Sequence, residues 1–180
     1  MVGRIIETDA CVAEGAAELL SAIISQQVST ASARAIWARM QAAGLTDPDR
    51  ILAASEDELR APGLSRQKAR YASALARARI DYTALRRASD AEVIETLTAV
   101  PGIGPWTAEI YAMFSLGRAD IFAPGDLALQ EAARLLYDLP ARPRERALRD
   151  MAESWSPWRS VAARALWAYY RVAKQRDGIR

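Results

Sequence analysis

The sequence predicts an all-helical fold, and three observations support that prediction. Apolar residues recur at spacings of three and four along most segments, which is the period of one helix face. Alanine is abundant, and the alternating β-branched pattern that is typical of strands is scarce. Hydrophobic residues make up 51% of the 180 residues, which is enough to build a core in one domain or in two closely packed lobes.

Turn and capping residues divide the chain into helices joined by short loops. Gly44 ends the second helix, and Asp47 with Pro48 begins the next one. Asp90 is expected to cap the helix that ends near residue 99, and Pro105 suits the first position of the helix that follows. We predict helices at residues 12–25, 30–43, around 50, 55–60, 65 to the 86–87 region, 90–99, 105–117, 127–137, 143–154 and 157–174.

The composition excludes several kinds of chemistry. The chain has no histidine, so it lacks the commonest general base and the commonest metal ligand. Cys11 is the single cysteine, which excludes an internal disulfide, a Cys–His catalytic pair and a four-cysteine iron–sulfur cluster. If the protein is an enzyme, a carboxylate, a lysine or a hydroxyl must carry its chemistry.

Charge and hydropathy restrict the compartment and the partners. No apolar run approaches the length of a membrane span, and residues 1–15 lack the layout of a signal peptide, so we expect a cytoplasmic protein that does not bind membranes. The net charge of +2 permits nucleic acid as a partner without requiring it. Of the 24 basic residues 22 are arginine, whose guanidinium group binds phosphate through two hydrogen bonds.

The segment LTAVPGIGPWTAEIYA, residues 97–112, is the most informative in the chain. Pro101 ends the preceding helix, and Gly102 and Gly104 permit positive φ and leave backbone N–H groups uncovered. The next helix begins at once, and its positive dipole end faces the same space as those amides. A DNA phosphate fits such a site and is bound there without sequence preference. A plain helix–turn–helix corner explains the four residues Pro-Gly-Ile-Gly equally well.

The whole segment closely resembles the hairpin of the helix–hairpin–helix (HhH-GPD) DNA glycosylase superfamily, which pairs it with a Gly/Pro-rich loop and a catalytic aspartate. Pro124 and Gly125 form such a loop here, and the spacing from Gly104 to Asp126 matches the family pattern. Taken alone, Asp126 is explained as a helix N-cap. The resemblance makes it the catalytic residue, and a carboxylate near C1′ would stabilise the positive charge that develops on the sugar.

Trp106 stands at the position that separates simple hydrolysis from strand cleavage. Lyase activity needs an amine to attack C1′, and the bifunctional relatives implied by the resemblance carry a lysine two residues after the second hairpin glycine. Trp106 occupies that position, and the only lysines of the chain are Lys68 and Lys174. We therefore expect a monofunctional glycosylase that leaves an abasic site.

The last predicted helix combines an apolar stripe with a tryptophan outside it. The stripe consists of Trp158, Val161, Ala165, Tyr169 and Val172. Trp167 falls on the opposite side, together with Ser160, Arg164 and Arg171. The stripe does not explain Trp167, which is left either to pack against another helix or to line a binding pocket.

The string SWSPWRSVAARALWAYY resembles the C-terminal helix of the 3-methyladenine DNA glycosylase II branch, in which the matching tryptophan lines the base pocket. The resemblance makes Trp106 and Trp167 pocket walls, on which a flipped base can stack and a cationic alkylated base gains further attraction. Trp106 also shares a helical stripe with Ile110 and Met113, so a role in the core is the alternative for it. Ile110 and Leu127 stand at two positions that are often aromatic in that branch, which implies a more open pocket. The resemblance covers nearly all of this chain but only the helical part of the larger bacterial relative, which also has an N-terminal β-rich domain.

Two further segments resemble DNA-facing parts of the family. The first, LLSAIISQQVSTASARAIWARM, resembles the I-x-x-Q-x-V-S element, which implies that Gln26 is the shared glutamine and Gln27 is the wedge that fills the space left by the flipped base. Without that resemblance, the two glutamines are explained as a polar pair that breaks the chain between two helices. The second spans residues 61–79 and supplies basic side chains that would contact phosphates, with a solvated basic face as the equally good alternative. These side chains are Arg66, Lys68 and Arg70.

The resemblance implies two lobes with the active-site cleft between them. One lobe spans roughly residues 30–116, and the other combines residues 1–29 with 117–180. We expect a monomer that excises alkylated purines, 3-methyladenine and 7-methylguanine, from double-stranded DNA without a required cofactor, although family hairpins often hold Na⁺ or K⁺ through backbone carbonyls. Two alternatives stay open: a non-catalytic helix–hairpin–helix module that only binds DNA, and a glycosylase of the same fold for mismatched or oxidised bases.

Overall fold

The structure is a computed structural model that describes residues 14–176, and within that range it contains helices and no strands, which confirms the all-α prediction. No helix in this part of the chain is long and apolar enough to cross a membrane. The helices are α1 (Glu14–Ser25), α2 (Thr30–Ala42), α3 (Pro48–Ala53), α4 (Glu56–Arg60), α5 (Arg66–Ala78), α6 (Tyr82–Arg87), α7 (Asp90–Thr98), α8 (Pro105–Phe114), α9 (Leu127–Leu136), α10 (Glu145–Ala152) and α11 (Arg159–Arg176), with a 3₁₀ turn at Glu153–Trp155.

Three differences from the predicted helices have a clear local cause or are larger than two residues, and the other helix ends shift by no more than two residues. The predicted helix from residue 65 to the 86–87 region is two helices, because Arg79 adopts a left-handed conformation (φ +46°) that ends α5, and Asp81 then caps α6. Ser89 rather than Asp90 caps α7, since its hydroxyl accepts a hydrogen bond from the Glu92 amide. Helix α8 ends at Phe114, three residues before the predicted end. The predicted start of α1 at residue 12 lies outside the described residues, as does Cys11.

The chain divides into two compact units, residues 1–111 and 112–180. In the first unit α5 packs against α1, α3 and α4, and α1 also contacts α2. This division groups α1 with the first unit, whereas the predicted lobes group it with the C-terminal segment; the lobe boundaries stay a prediction. The fully buried side chains of this unit include Leu19, Ile23, Met40, Leu59 and Leu97.

In the second unit α9 packs against α11 and contacts α10. The buried face of α11 consists of small and medium side chains, and the predicted apolar stripe faces outward: Trp158 is 61% exposed and Val161 is 54% exposed. Ala163 of α11 and Ala132 and Ala133 of α9 are completely buried, which allows the two helices to approach closely. The predicted stripe therefore did not identify the packing face, because Ser160, Ala163 and Leu166 form it.

Candidate active site

Asp126 lies at the start of α9, at the end of a loop whose Pro124 is buried. Its Oδ1 accepts hydrogen bonds from the amides of Ala128 at 2.9 Å and Leu129 at 3.0 Å, so the N-cap role expected from the sequence is present. Gln130 braces the loop by donating through Nε2 to the Pro124 carbonyl at 2.8 Å. Asp126 is only 7% exposed. A carboxylate that is fixed in this way, at the positive end of a helix, can hold one orientation.

Trp167 of α11 contacts the same carboxylate. Its indole Nε1 donates to Asp126 Oδ1 at 3.1 Å, so that oxygen accepts three hydrogen bonds. The ring of Phe114 lies 5.7 Å from the Trp167 ring, and the Arg164 guanidinium stands 4.9 Å from the centre of the Phe114 ring. The Trp167 side chain is therefore held by the Phe114 ring and by the Asp126 carboxylate. Phe114 was not predicted from the sequence, since nothing in the pattern marks the last residue of α8.

An ion pair fixes the loop before Asp126 to the beginning of α11. Arg159 donates from Nε to Asp120 Oδ1 at 2.8 Å and from Nη2 to Asp120 Oδ2 at 2.9 Å, a bidentate arrangement, and the Ser156 hydroxyl adds a bond of 2.9 Å. The side-chain hydrogen bonds from Arg159 are the main cause that lowers the pKa of Asp120 to about 2. Ser160 also bonds the amide and the carbonyl of Ile121, at 3.1 and 2.8 Å. These bonds join the loop that leads to Asp126 with the helix that carries Trp167.

The hairpin between α7 and α8 has a positive φ at Gly102 but not at Gly104. Gly102 has φ +95°, and a Cβ there would collide with the Tyr71 ring, so only glycine fits. The Ile103 amide donates to the Val100 carbonyl at 3.0 Å, which closes the turn over a buried Ile103 side chain. Among residues 14–176, the Gly102 and Gly104 amides donate to no protein acceptor. Such amides can bind an anion at the start of a helix, and the phosphate-binding role of the two glycines stays a prediction.

The turn between α1 and α2 carries the predicted wedge. Gln27 is exposed and has φ +56°, a conformation that residues other than glycine rarely adopt. Gln26 donates from Nε2 to the Gly102 carbonyl at 3.0 Å. Lys68 of α5 donates from Nζ to the carbonyls of Ile24 at 2.7 Å and Gln26 at 2.6 Å. The structure thus brings Gln26, Lys68 and the hairpin together, a grouping that their separation in sequence did not reveal.

Comparison with known proteins identifies the family. The profile described as HhH-GPD superfamily base excision DNA repair protein matches residues 20–157. The chain belongs to this superfamily. It is 31% identical over 172 residues to DNA-3-methyladenine glycosylase 1 of Schizosaccharomyces pombe, an alignment that covers 91% of this chain and 75% of the relative.

Solved structures of the HhH-GPD superfamily superpose on this chain. A DNA-3-methyladenine glycosidase from Bacillus halodurans has a TM-score of 0.77 at 37% identity and covers 86% of this chain and 74% of its own. The S. pombe 3-methyladenine DNA glycosylase in complex with abasic DNA has a TM-score of 0.73 at 30% identity, and the match covers 92% of this chain and 85% of that one. These matches confirm the predicted superfamily, the helix–hairpin–helix glycosylase fold and the enzyme class, an N-glycosylase of base excision repair.

The remaining predicted pocket residues of this HhH-GPD protein occupy different surroundings. Trp106, in the first turn of α8, is 37% exposed, and Ile110 is half-buried one helical turn later. Leu127 follows Asp126 directly and is 62% exposed. A cavity of about 1050 Å³ lies in the first unit beside α5, α6 and α7, and no predicted pocket residue lines it. The pocket roles of these residues stay predictions.

A monovalent cation at the hairpin would need backbone carbonyls as ligands. The Gly102 carbonyl accepts one hydrogen bond, from Gln26, and the Val100 carbonyl accepts one from Ile103. Each carbonyl oxygen has two lone pairs, so both can still contribute to an ion. A cation at the hairpin stays a prediction, and residues 14–176 contain no group of three or more acidic or cysteine side chains that could hold a metal in another way.

Proposed function

We propose that this HhH-GPD protein is a monofunctional DNA glycosylase that flips alkylated purines, 3-methyladenine and 7-methylguanine, out of duplex DNA and hydrolyses their N-glycosidic bond. The observation that carries the proposal is Asp126, a buried carboxylate whose Oδ1 is fixed by two backbone amides and one indole N–H. The relatives named for 3-methyladenine support the substrate class. Duplex DNA as partner, a monomeric state, a cytoplasmic location and no required cofactor belong to the same proposal.

The carboxylate of Asp126 acts through its charge and its fixed direction. Departure of the base leaves positive charge on the sugar, and a negative group near C1′ stabilises that charge. The same carboxylate can orient the water that attacks C1′. Because the three donors are already in place, the carboxylate does not need to reorganise during the reaction.

The bound base would stack on aromatic side chains. The Trp167 ring, which Phe114 and Arg164 support, offers a face for this stacking. An electron-rich ring attracts a cationic methylated purine more strongly than a neutral one. Cleavage of such a purine releases a neutral base, so its glycosidic bond is already weakened and modest stabilisation of the transition state is enough.

A lesion panel tests this function. We expect release of 3-methyladenine and 7-methylguanine from duplex DNA, with slower release of the neutral lesions hypoxanthine and ethenoadenine. A pocket with few aromatic walls discriminates weakly between bases, so the lability of the glycosidic bond determines which lesions are released fastest. Single-turnover excision rates on matched duplexes, with undamaged duplex as the control, measure it. Faster release of the neutral lesions would contradict the substrate class, and tight binding without any release would favour a DNA-binding module.

The product strand is expected to stay intact at the abasic site. Trp106 stands where a nucleophilic amine would be needed, and the Lys68 ammonium group bonds two backbone carbonyls. Incubation with lesion DNA and borohydride should therefore trap no covalent adduct, while a glycosylase with a hairpin lysine, run in parallel, should give one. A strong adduct with this protein would refute the monofunctional assignment.

A further inference from the structure

We propose that Lys68 and Gln26 are positioning residues that brace the Gln27 turn against the hairpin, so that the wedge and the phosphate site keep a fixed relation to each other. The proposal rests on the proposed function, because it concerns how the wedge enters DNA. It replaces the phosphate contact that the sequence predicted for Lys68 with a role inside the protein.

The first step concerns the end of α1. A helix leaves its last carbonyls without partners, and a cation at that end is favoured by the helix dipole. Lys68 supplies both the donors and the charge, since its Nζ bonds the Ile24 carbonyl inside the last turn and the Gln26 carbonyl just beyond it. Two of its three N–H groups are thereby used within the protein. Burial lowers the pKa of Lys68, in agreement with an ammonium group that is partly withdrawn from water.

The second step concerns the backbone of Gln27. A left-handed conformation of a residue other than glycine persists only where its surroundings hold it. The two carbonyls that Lys68 bonds belong to residues three and one before Gln27, and Ser29, two residues after it, caps α2. The turn is therefore fixed on both sides, and the exposed Gln27 side chain is its projecting group.

The third step links the turn with the hairpin. Gln26 donates to the Gly102 carbonyl at 3.0 Å, and the Tyr71 ring fills the space beside Gly102. Tyr71 and Lys68 both belong to α5, and the Tyr71 hydroxyl accepts a hydrogen bond from Gln67 at 2.6 Å. One helix thus supports the wedge turn through Lys68 and the hairpin through Tyr71. Insertion of the wedge and binding of the phosphate are then coupled without a flexible joint between them.

Lys68→Met separates the brace from a phosphate contact, because it removes the ammonium group and keeps an unbranched side chain. In the free protein, hydrogen–deuterium exchange should rise both at residues 24–28 and at the Val100 and Ile103 amides, and Lys68→Arg should restore part of the protection. Gln26→Leu, which removes only the bond to Gly102, should raise exchange at the hairpin. This variant provides the test if Lys68→Met does not fold. Unchanged exchange at the hairpin in both variants would overturn the proposal.

Binding to DNA provides the second readout. The wild type should prefer a duplex with an abasic-site analogue over an undamaged duplex, and Lys68→Met should reduce this preference several-fold. The dependence of its affinity on salt should stay as in the wild type. Arg66→Met is the matched control. The Arg66 side chain lies on the same helix and is exposed, although its Nε pairs with Glu56 Oε1 at 3.1 Å. If Arg66 contacts a phosphate, as the sequence predicts, its loss should weaken both complexes alike and reduce the salt slope by about 1. A Lys68→Met variant that behaves like this control would show a phosphate contact and overturn the brace. Hydrogen–deuterium exchange is measured without DNA and therefore tests the brace independently of catalysis. Failure of the wild type to release any base would refute the proposed function and would leave the exchange result intact.

Discussion

Replacement of Asp126 by asparagine is expected to lower base excision by on the order of 10³-fold or more while DNA binding persists. Asparagine is as good an N-cap as aspartate, and its oxygen can still accept the bonds from Ala128, Leu129 and Trp167. The substitution therefore removes the negative charge and keeps the local structure. Single-turnover excision of 3-methyladenine, together with affinity for an abasic-site analogue, measures the two effects separately.

Asp81→Asn is the matched control for this experiment. Asp81 caps α6 with nearly the same geometry, accepting from the amides of Thr83 at 3.0 Å and Ala84 at 2.9 Å. The Asp81→Asn variant should excise 3-methyladenine at the wild-type rate, which would show that loss of a charged N-cap does not by itself impair the enzyme. Excision by Asp126→Asn at the wild-type rate would remove Asp126 from the mechanism.

The parts of the fold that sequence analysis predicted correctly depend on neighbouring residues. Helix starts at Asp47, Ser65 and Asp126 follow from a side-chain oxygen that bonds amides two or three residues later, and the hairpin follows from glycine φ angles. Such features are local, so residue order is enough to identify them. The catalytic role that we propose for Asp126 has another origin, because an N-cap by itself indicates no function and only the family pattern suggested one.

The parts that were missed depend on contacts between distant residues. Asp120 and Arg159 are 39 positions apart, and Lys68 bonds carbonyls 42 and 44 positions away. No periodicity encodes such bonds, since they arise when helices pack. The outward stripe of α11 has the same origin: Ala163 gives a closer contact with α9 than a large side chain would, so size and burial do not correlate there.

Trp167 is expected to act in two ways, which substitution by phenylalanine and alanine separates. Trp167→Phe keeps a ring beside Phe114 and removes the N–H that donates to Asp126 at 3.1 Å. A hydrogen bond to a charged group contributes roughly 1.5–3 kcal/mol, so excision of every lesion should slow by about tenfold or more. Trp167→Ala also removes the ring face, and this further loss should be greatest for cationic purines, because cation–π attraction disappears together with stacking.

Single-turnover rates for 3-methyladenine, 7-methylguanine and hypoxanthine decide between these effects. The loss common to all lesions measures the bond to Asp126, and the difference between the phenylalanine and alanine variants measures the ring. Trp158→Phe, at the exposed residue just before α11, is the matched control and should leave the rates unchanged. Wild-type rates for Trp167→Phe would exclude a role for the hydrogen bond. An equal further slowing of cationic and neutral lesions by Trp167→Ala would mean that the ring does not recognise positive charge.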